Sequence, residues 1–209
     1  MSHDHSHGHS HHHAGLAHTH DHHHGPSGDW TSDTVSWYVE RYGKWPSPRL
    51  LAEHVVLSEG QVLVDVGCGT GSLLRLLRDQ QGGGRLVGVD VSEEMLAVAR
   101  EQTDDAGIEY HSADAGALPV PDGSVDVVVF LNTLHHLPEP AAALAEARRI
   151  LKPGGTIWVG TDEDVYDMVG WSNGRVRDEL SAEGFRRIRQ TSGHEGDVVL
   201  NVLVGTRRA

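Results

Sequence analysis

The sequence predicts an α/β domain in which a mostly parallel sheet is covered by helices on both faces. From Trp30 onward, apolar runs of four to seven residues alternate with segments of helical periodicity, as is typical of such sheets. Residues 62–74, VLVDVGCGTGSLL, read as a buried strand that turns through three glycines into a helix. Residues 152–155, KPGG, end another helix and turn into the next strand. A chain of 209 residues has room for about one such domain and a tail.

The predicted elements follow the apolar runs and the breaks between them. Strands are predicted at 61–66, 85–90, 108–111, 125–131, 156–160, 185–189 and 198–206. Helices are predicted near 33–43, 47–57, 71–80, 92–102, 139–151 and 174–183. Ser92 precedes Glu93 and Glu94, so it makes a good N-cap for the helix that begins there.

Composition and charge exclude several classes of protein. No apolar run approaches the roughly 20 residues of a membrane span, and the N-terminus lacks the apolar segment of a secretory signal, so the cytoplasm is expected. Cys68 is the only cysteine, which excludes an intrachain disulfide and a cysteine-based zinc site. The formal net charge of −13 argues against a nucleic-acid backbone as the main partner and leaves a small substrate open.

Residues 1–28 differ in composition from the remainder, and the domain is therefore predicted over 29–209. Leu16 is the only sizeable apolar side chain of this segment, so a disordered tail is predicted. Its imidazoles should capture nickel, zinc, cobalt or copper ions. The candidate metal ligands are His3, His5, His7, His9, His11, His12, His13, His18, His20, His22, His23 and His24. An affinity tag, or incidental metal binding without a role, would give the same composition.

Three kinds of cofactor are candidates for the glycine loop at 67–71, and the residues in and around the loop discriminate between them. A P-loop needs a lysine after its glycines, and the nearest basic residue here, Arg75, is already inside the helix. A dinucleotide site needs GxGxxG, whereas the spacing here is GxGxG. Asp65 would repel a pyrophosphate and would suit S-adenosylmethionine, which carries a sulfonium and an ammonium and no phosphate. Asp90, at the end of the next strand, can accept both ribose hydroxyls.

Four blocks of the sequence together resemble class I S-adenosylmethionine-dependent methyltransferases in order and spacing. The blocks are VLVDVGCGTG, GVDVSEEML, SADAGALPVPDGSVDVVVFLNTLHHL and RILKPGGTIWV, and they cover roughly residues 47–160. They are similar to the methyltransferase type 11 group, which includes ubiquinone- and menaquinone-biosynthesis enzymes. The resemblance implies a Rossmann-like, seven-stranded sheet with an antiparallel last strand at 198–206. It also implies methyl transfer to an acceptor, which we expect to be a small molecule.

The resemblance also implies a set of cofactor-binding residues. The first acid and the glycines would line the methionine moiety, Asp90 would bind the ribose, and Asp114 would accept from the adenine amino group. Met95 would pack either near the adenine or in the helix core. The whole set is Asp65, Gly67, Gly69, Gly71, Asp90, Met95, Asp114, Ala115 and Asn132.

The catalytic and substrate-binding predictions are less specific. His135 and His136, in NTLHHL, are candidate bases if the acceptor must lose a proton, and otherwise they pack or cap the following segment. Residues 30–46 hold five of the eleven aromatic side chains, so they form either a cover over cofactor and substrate or an amphipathic helix on the sheet. Tyr166 and Trp171 are expected to close the opposite side.

A second class of function is also compatible with the sequence. The chain would then be a metal-binding or metal-handling protein that uses the methyltransferase fold as a scaffold. The presence of Asp65, Asp90 and all three loop glycines favours the enzyme.

Overall fold

The computed structural model describes residues 30–104 and 107–208. Seven strands form one sheet: β1 (Val62–Val66), β2 (Arg85–Asp90), β3 (Ile108–Ser112), β4 (Val125–Leu131), β5 (Leu151–Asp162), β6 (Phe185–Glu195) and β7 (Val198–Arg207). Seven α-helices accompany them in the described ranges: α1 (Ser32–Tyr42), α2 (Ser47–Ala52), α3 (Ser72–Gln81), α4 (Glu93–Glu101), α5 (Pro140–Ile150), α6 (Glu163–Val169) and α7 (Asn173–Ala182). Within these ranges, no helix has both the length and the apolar character needed to cross a bilayer.

The sheet has the order β3-β2-β1-β4-β5-β7-β6 and is mostly parallel. Only β7 runs against its neighbours, since it pairs antiparallel with both β5 and β6. The predicted Rossmann-like sheet with an antiparallel last strand is therefore confirmed. The chain progresses outward in one direction from β1 and in the other from β4, so a crevice opens at the carboxyl ends of these two strands, where open α/β sheets bind ligands.

The strands bury both of their faces because successive side chains point to opposite sides of the sheet. Val128 and Phe130 of β4 belong to the core under α5 and α7, whereas Val127 and Val129 belong to the core under α2 and α3. Two apolar layers therefore hold the sheet rigid, which fixes the positions of the side chains at its carboxyl edge.

The structure differs from the predicted elements at four places, and two of these differences have a local cause. The helix predicted at 47–57 ends at Ala52, because Gln81 accepts from the amide of Leu57 and donates to the carbonyl of Val55, holding this segment outside the helix. The KPGG segment, predicted as a turn, lies inside β5, where the register with β4 shifts. β6 extends to Glu195 instead of 189, and helix α6 was not predicted.

Candidate cofactor and acceptor site

A cavity opens at the carboxyl ends of β1, β4 and β5. Six of the predicted site residues line it: Asp65, Gly67, Gly69, Asn132, His135 and His136. Five others lie outside its lining: Gly71, Asp90, Met95, Asp114 and Ala115. The cavity therefore brings together the methionine side of the predicted site and both histidines.

Asp65, on β1, is a buried carboxylate without a complete set of partners. Its residue is only 2% exposed, and its Oδ1 has no hydrogen-bond partner in the described part of the chain. Burial and, as the smaller cause, the nearby charge of Asp90 together raise the pKa of Asp65 to about 7. A ligand that brings a cationic N–H donor to this oxygen would offset the cost of burying the charge and would supply the missing hydrogen bond.

Asp90, at the end of β2, is held by backbone amides. Its Oδ2 accepts from the amide of Gly69 at 2.8 Å, and its Oδ1 accepts from the amide of Ser92 at 2.9 Å. Burial raises the pKa of Asp90, and these hydrogen bonds oppose the increase. A carboxylate offers about four lone-pair positions, so each oxygen keeps one for a further donor such as a ribose hydroxyl.

The three loop glycines serve different purposes. A Cβ on Gly67 would lie 2.2 Å from the side chain of Thr133, and a Cβ on Gly71 would lie 2.2 Å from the hydroxyl of Tyr110. A Cβ on Gly69 would meet nothing within 4 Å, although its φ of +52° still favours glycine. The outer two glycines therefore allow close packing within the protein, and Gly69 leaves the loop open to a ligand.

The residues predicted beside the adenine lie farther along the same edge of the sheet. Met95 is buried in α4, Ala115 packs against the core, and Asp114 is exposed, with its Oδ1 accepting from the amide of Gly116 at 2.7 Å. Val91 was missed by the sequence analysis. It follows Asp90 directly and is 69% exposed, an unusual state for a large apolar side chain and one that a planar ring could cover.

His135 and His136 lie in a 3-10 turn, Leu134–His136, that follows β4. Leu134 is buried and anchors the turn, while both imidazole rings line the cavity, with their centroids 4.0 Å apart. Thr133 fixes the start of the turn, because its single hydroxyl hydrogen is shared between the carbonyls of Leu131 at 2.9 Å and Gly67 at 3.2 Å. The two imidazoles are thus positioned beside the glycine loop.

Helix α1 and the loop after it form one wall of the cavity. Tyr38, Tyr42 and Trp45 line it. Burial, together with the charges of Asp90, Tyr42 and Asp162, raises the pKa of Tyr38 to about 12, so its hydroxyl stays protonated. The geometry favours the aromatic cover over the alternative of a helix packed wholly on the sheet.

The side opposite this wall differs from expectation. Tyr166 is buried in the core, and Trp171 packs against that core with its ring under the guanidinium of Arg175, 4.0 Å away. Neither lines the cavity, where Val165 of α6 lies instead. The short helix α6 turns Val165 toward the site, and this helix was not predicted.

Asp162, at the end of β5, was also missed, although it organises the side of the cavity that the aromatic wall lines. It is 5% exposed and accepts from Trp45 Nε1 at 2.9 Å, Ser47 Oγ at 2.5 Å and Asn132 Nδ2 at 2.8 Å. The Asn132 side chain in turn accepts from the Asp162 amide at 2.9 Å, which stabilises Asn132 at its φ of +51°. Asp162 therefore ties the aromatic wall to the sheet.

The predicted metal ligands of the tail lie outside the described residues. Within residues 30–104 and 107–208, no group of three or more His, Cys, Asp or Glu side chains is placed to hold a metal ion. The metal-binding tail stays a prediction from composition.

The Rossmann-like fold is shared with solved methyltransferase structures. A chain from the complex between the Haloferax volcanii Trm112 methyltransferase activator and a methyltransferase superposes with a TM-score of 0.74 at 26% identity, covering 85% of this chain and 94% of that one. Residues 64–159 match the family described as a methyltransferase domain. Residues 64–159, just under half of the chain, are therefore similar to methyltransferase domains, and the fold is shared with the superposed methyltransferase.

The curated relatives that match part of this chain are methyltransferases. The ubiquinone biosynthesis O-methyltransferase of Methylococcus capsulatus is 38% identical over 105 residues, which is 49% of this chain and 44% of that protein. The demethylmenaquinone methyltransferase of Thermus thermophilus is 37% identical over 99 residues, which is 46% of this chain and 45% of that protein. The chain thus spans less than half the length of these two relatives.

Proposed function

We propose that this chain transfers a methyl group from S-adenosylmethionine to a small-molecule acceptor bound in the cavity. The observation that carries the proposal is the buried Oδ1 of Asp65, which lines the cavity and has no partner in the described part of the chain. A buried carboxylate of this kind is costly, and it persists where a cationic group completes it. S-adenosylmethionine offers such a group and matches the family of the domain.

The residues that would hold the cofactor fit its polar groups. Asp65 would accept from the ammonium, the open side of Gly69 would admit the chain of the methionine, and Asp90 would accept from the ribose hydroxyls. When bound, the cofactor supplies an electrophilic methyl group. The protein would then contribute position and exclusion of water, which are the main requirements of an in-line displacement.

His135 and His136 are proposed to act on the acceptor. Both line the cavity, and histidine is the side chain best suited to accept a proton near neutral pH. The alternative is that positioning alone is sufficient and that the imidazoles only shape the site. If either is a base, its alanine variant should lose turnover on the order of a hundredfold while S-adenosylhomocysteine binding stays intact.

Calorimetry with S-adenosylhomocysteine tests the proposed function directly. We expect micromolar binding by the full chain and by a variant that begins at Gly28, because the cavity residues all lie beyond the tail. Absence of binding in both would favour the alternative of a scaffold in a metal-handling protein. The acceptor itself can be sought by profiling metabolites labelled from a methyl donor.

The tail is proposed to bind nickel, zinc, cobalt or copper independently of the domain. Twelve histidines among its first 24 residues support this proposal, since neutral imidazoles are good ligands for these ions. A cytoplasmic location and the absence of a nucleic-acid partner also stay proposals, which rest on composition and charge.

A further inference from the structure

We propose that the acceptor side of the cavity selects an organic group without negative charge, and that it prefers an amine to an alcohol and excludes a carboxylate or phosphate. This inference rests on the proposed function and names its substrate class. It is drawn from the charges and surfaces of the residues that line the cavity.

The charged side chains of the lining are acids. Asp65 and Asp162 line the cavity, and no lysine or arginine is among the described residues that do so. Burial is the main cause of the raised pKa of each carboxyl, as expected for acids that lack a cationic partner. Because Asp65 is assigned to the ammonium of the cofactor, Asp162 is the acid left for the acceptor. An anion beside Asp162 would add repulsion to the cost of its burial, whereas a cation would reduce that cost.

The negative charge of Asp162 is shared but not neutralised. Its donors are an indole N–H, a hydroxyl and an amide, from Trp45, Ser47 and Asn132 respectively. All three are neutral groups, so they fix the carboxylate in place and leave its net charge next to the acceptor. A fixed acid that cannot rotate away provides charge selection.

The aromatic wall adds to this preference. Tyr42 and Trp45 have their ring centroids 5.4 Å apart in an edge-to-face arrangement, and both line the cavity. Aromatic faces attract ammonium groups and favour flat or apolar bodies. Leu131 and Val165 complete an apolar boundary, so the site suits an apolar body with an amine.

The basic side chain beside this wall does not reverse the argument. Arg41 is exposed, donates from its Nε to the Tyr42 hydroxyl at 3.1 Å, and lies over the Trp37 and Tyr42 rings. It does not line the cavity. A bound ammonium must lose a proton before it accepts a methyl group, and the imidazoles of His135 and His136 border the same space.

The test compares three probes that share a phenylethyl body and differ in the group at its end, which is an amine, a neutral hydroxyl or a carboxylate. The full chain, saturated with S-adenosylhomocysteine, is titrated with 2-phenylethylamine, 2-phenylethanol and 3-phenylpropanoate by ligand-observed NMR at about pH 8.5, above the ordinary titration range of histidine. We expect the amine to bind at least about tenfold more tightly than the carboxylate, with the alcohol between them.

Two variants assign this selectivity to the cavity. Asp162→Asn should reduce the amine-to-carboxylate ratio at least about threefold, while Asp167→Asn, an exposed acid on α6, should leave it unchanged. If Asp162→Asn fails to fold, Pro48→Lys at a half-buried position of the lining serves instead, and it should shift the preference toward the carboxylate.

Three outcomes overturn the inference: tighter or equal binding of the carboxylate, no binding of any probe, or a ratio that Asp162→Asn and Pro48→Lys both leave unchanged. Failure of the proposed function is recognised separately, since the wild-type chain would then not bind S-adenosylhomocysteine. In that event the same titrations on the cofactor-free chain still decide the charge preference.

Discussion

Replacing Asp65 with asparagine should stabilise the ligand-free protein and weaken its binding of the cofactor. The carboxylate is buried, and its Oδ1 lacks a partner in the described part of the chain. Asparagine has nearly the same shape but carries no charge that must be removed from water. A gain in stability together with a loss of cofactor affinity indicates a ligand-binding residue, because replacing a residue that only supports the fold would lower the stability.

The pKa of Asp65 gives the magnitude of the first effect. Burial and then the charge of Asp90 raise it from 3.8 to about 7. A difference of about three pKa units corresponds to on the order of 4 kcal/mol. In a domain of this size, 1 kcal/mol changes the Tm by about 2–4 °C. Since asparagine still buries a polar group, we expect an increase in Tm of at least about 5 °C.

This stabilisation should appear only above the acidic range. The pKa of Asp65 is higher in the folded protein than in the unfolded chain, so the folded state holds the proton more tightly. The contribution of Asp65 to stability therefore declines as the pH rises from about 4 to about 7, and is constant above that. The difference in Tm between variant and wild type should be smallest near pH 4, increase to about pH 7 and then level off.

Thermal melting followed by circular dichroism measures this difference, with calorimetry of S-adenosylhomocysteine on the same samples. Asp79→Asn, an exposed acid on α3, is the matched control and should change neither property. Loss of a charged partner costs about 1.5–3 kcal/mol, so the Asp65→Asn variant should bind at least about tenfold less tightly. A variant that melts at or below the wild-type temperature at about pH 8, or a difference that does not change with pH, would refute the reasoning.

Three further predictions address the ribose site, the glycine loop and the tail. Asp90→Ala should lower the affinity for S-adenosylhomocysteine at least about tenfold with an unchanged circular dichroism spectrum, because the hydroxyls lose a charged acceptor; unchanged affinity would remove Asp90 from the site. Gly71→Ala should lower the free energy of unfolding by about 1–3 kcal/mol in urea titrations, because its Cβ would contact the Tyr110 hydroxyl at 2.2 Å and its φ is +75°. Tyr110→Phe in the same chain should recover part of this loss, and simple additivity of the two changes would contradict the contact. A chain that begins at Gly28 should bind no nickel at about pH 7.5, and the full chain should release nickel below about pH 5.5 as its histidines become protonated; equal nickel stoichiometry in both would exclude the tail as the site.

The sequence predicts best those elements whose residue pattern is compatible with only one type of secondary structure. Strand β2 has the predicted bounds and β1 differs by one residue, because branched apolar runs that are buried on both faces leave few alternatives. Helix α6 has only seven residues, of which Val165 and Tyr166 are buried, so it is too short to show a helical period. Residues 152–155 look like a turn, and they fall within β5 because the residues on either side of them, Leu151 and Thr156, pair with β4.

The same distinction applies to the site. Asp65, Gly67 and Gly69 lie close together in the chain, and their spacing alone predicts a cofactor loop. Asp162 is held by Trp45 and Ser47, which are 117 and 115 residues away in the chain. Hydrogen bonds between residues so far apart in the chain cannot be inferred from a local sequence pattern. A buried acid at a strand end, which Asp65 and Asp162 share, is the one signal that would have directed attention to it.

The way the aromatic wall is attached has a consequence for how acceptor range can change. Among the residues of α1, only Thr34 and Val35 are buried, while Trp45 and Ser47 fasten the following loop to Asp162. The wall is thus joined to the sheet through few side chains, whereas the proposed cofactor loop connects β1 directly to α3. Mutations drawn over residues 30–46 can diversify the chemistry of the acceptor while leaving the seven strands untouched. For directed evolution, a small library over this segment that keeps Thr34, Val35 and Trp45 would sample new candidate acceptors at little risk to folding.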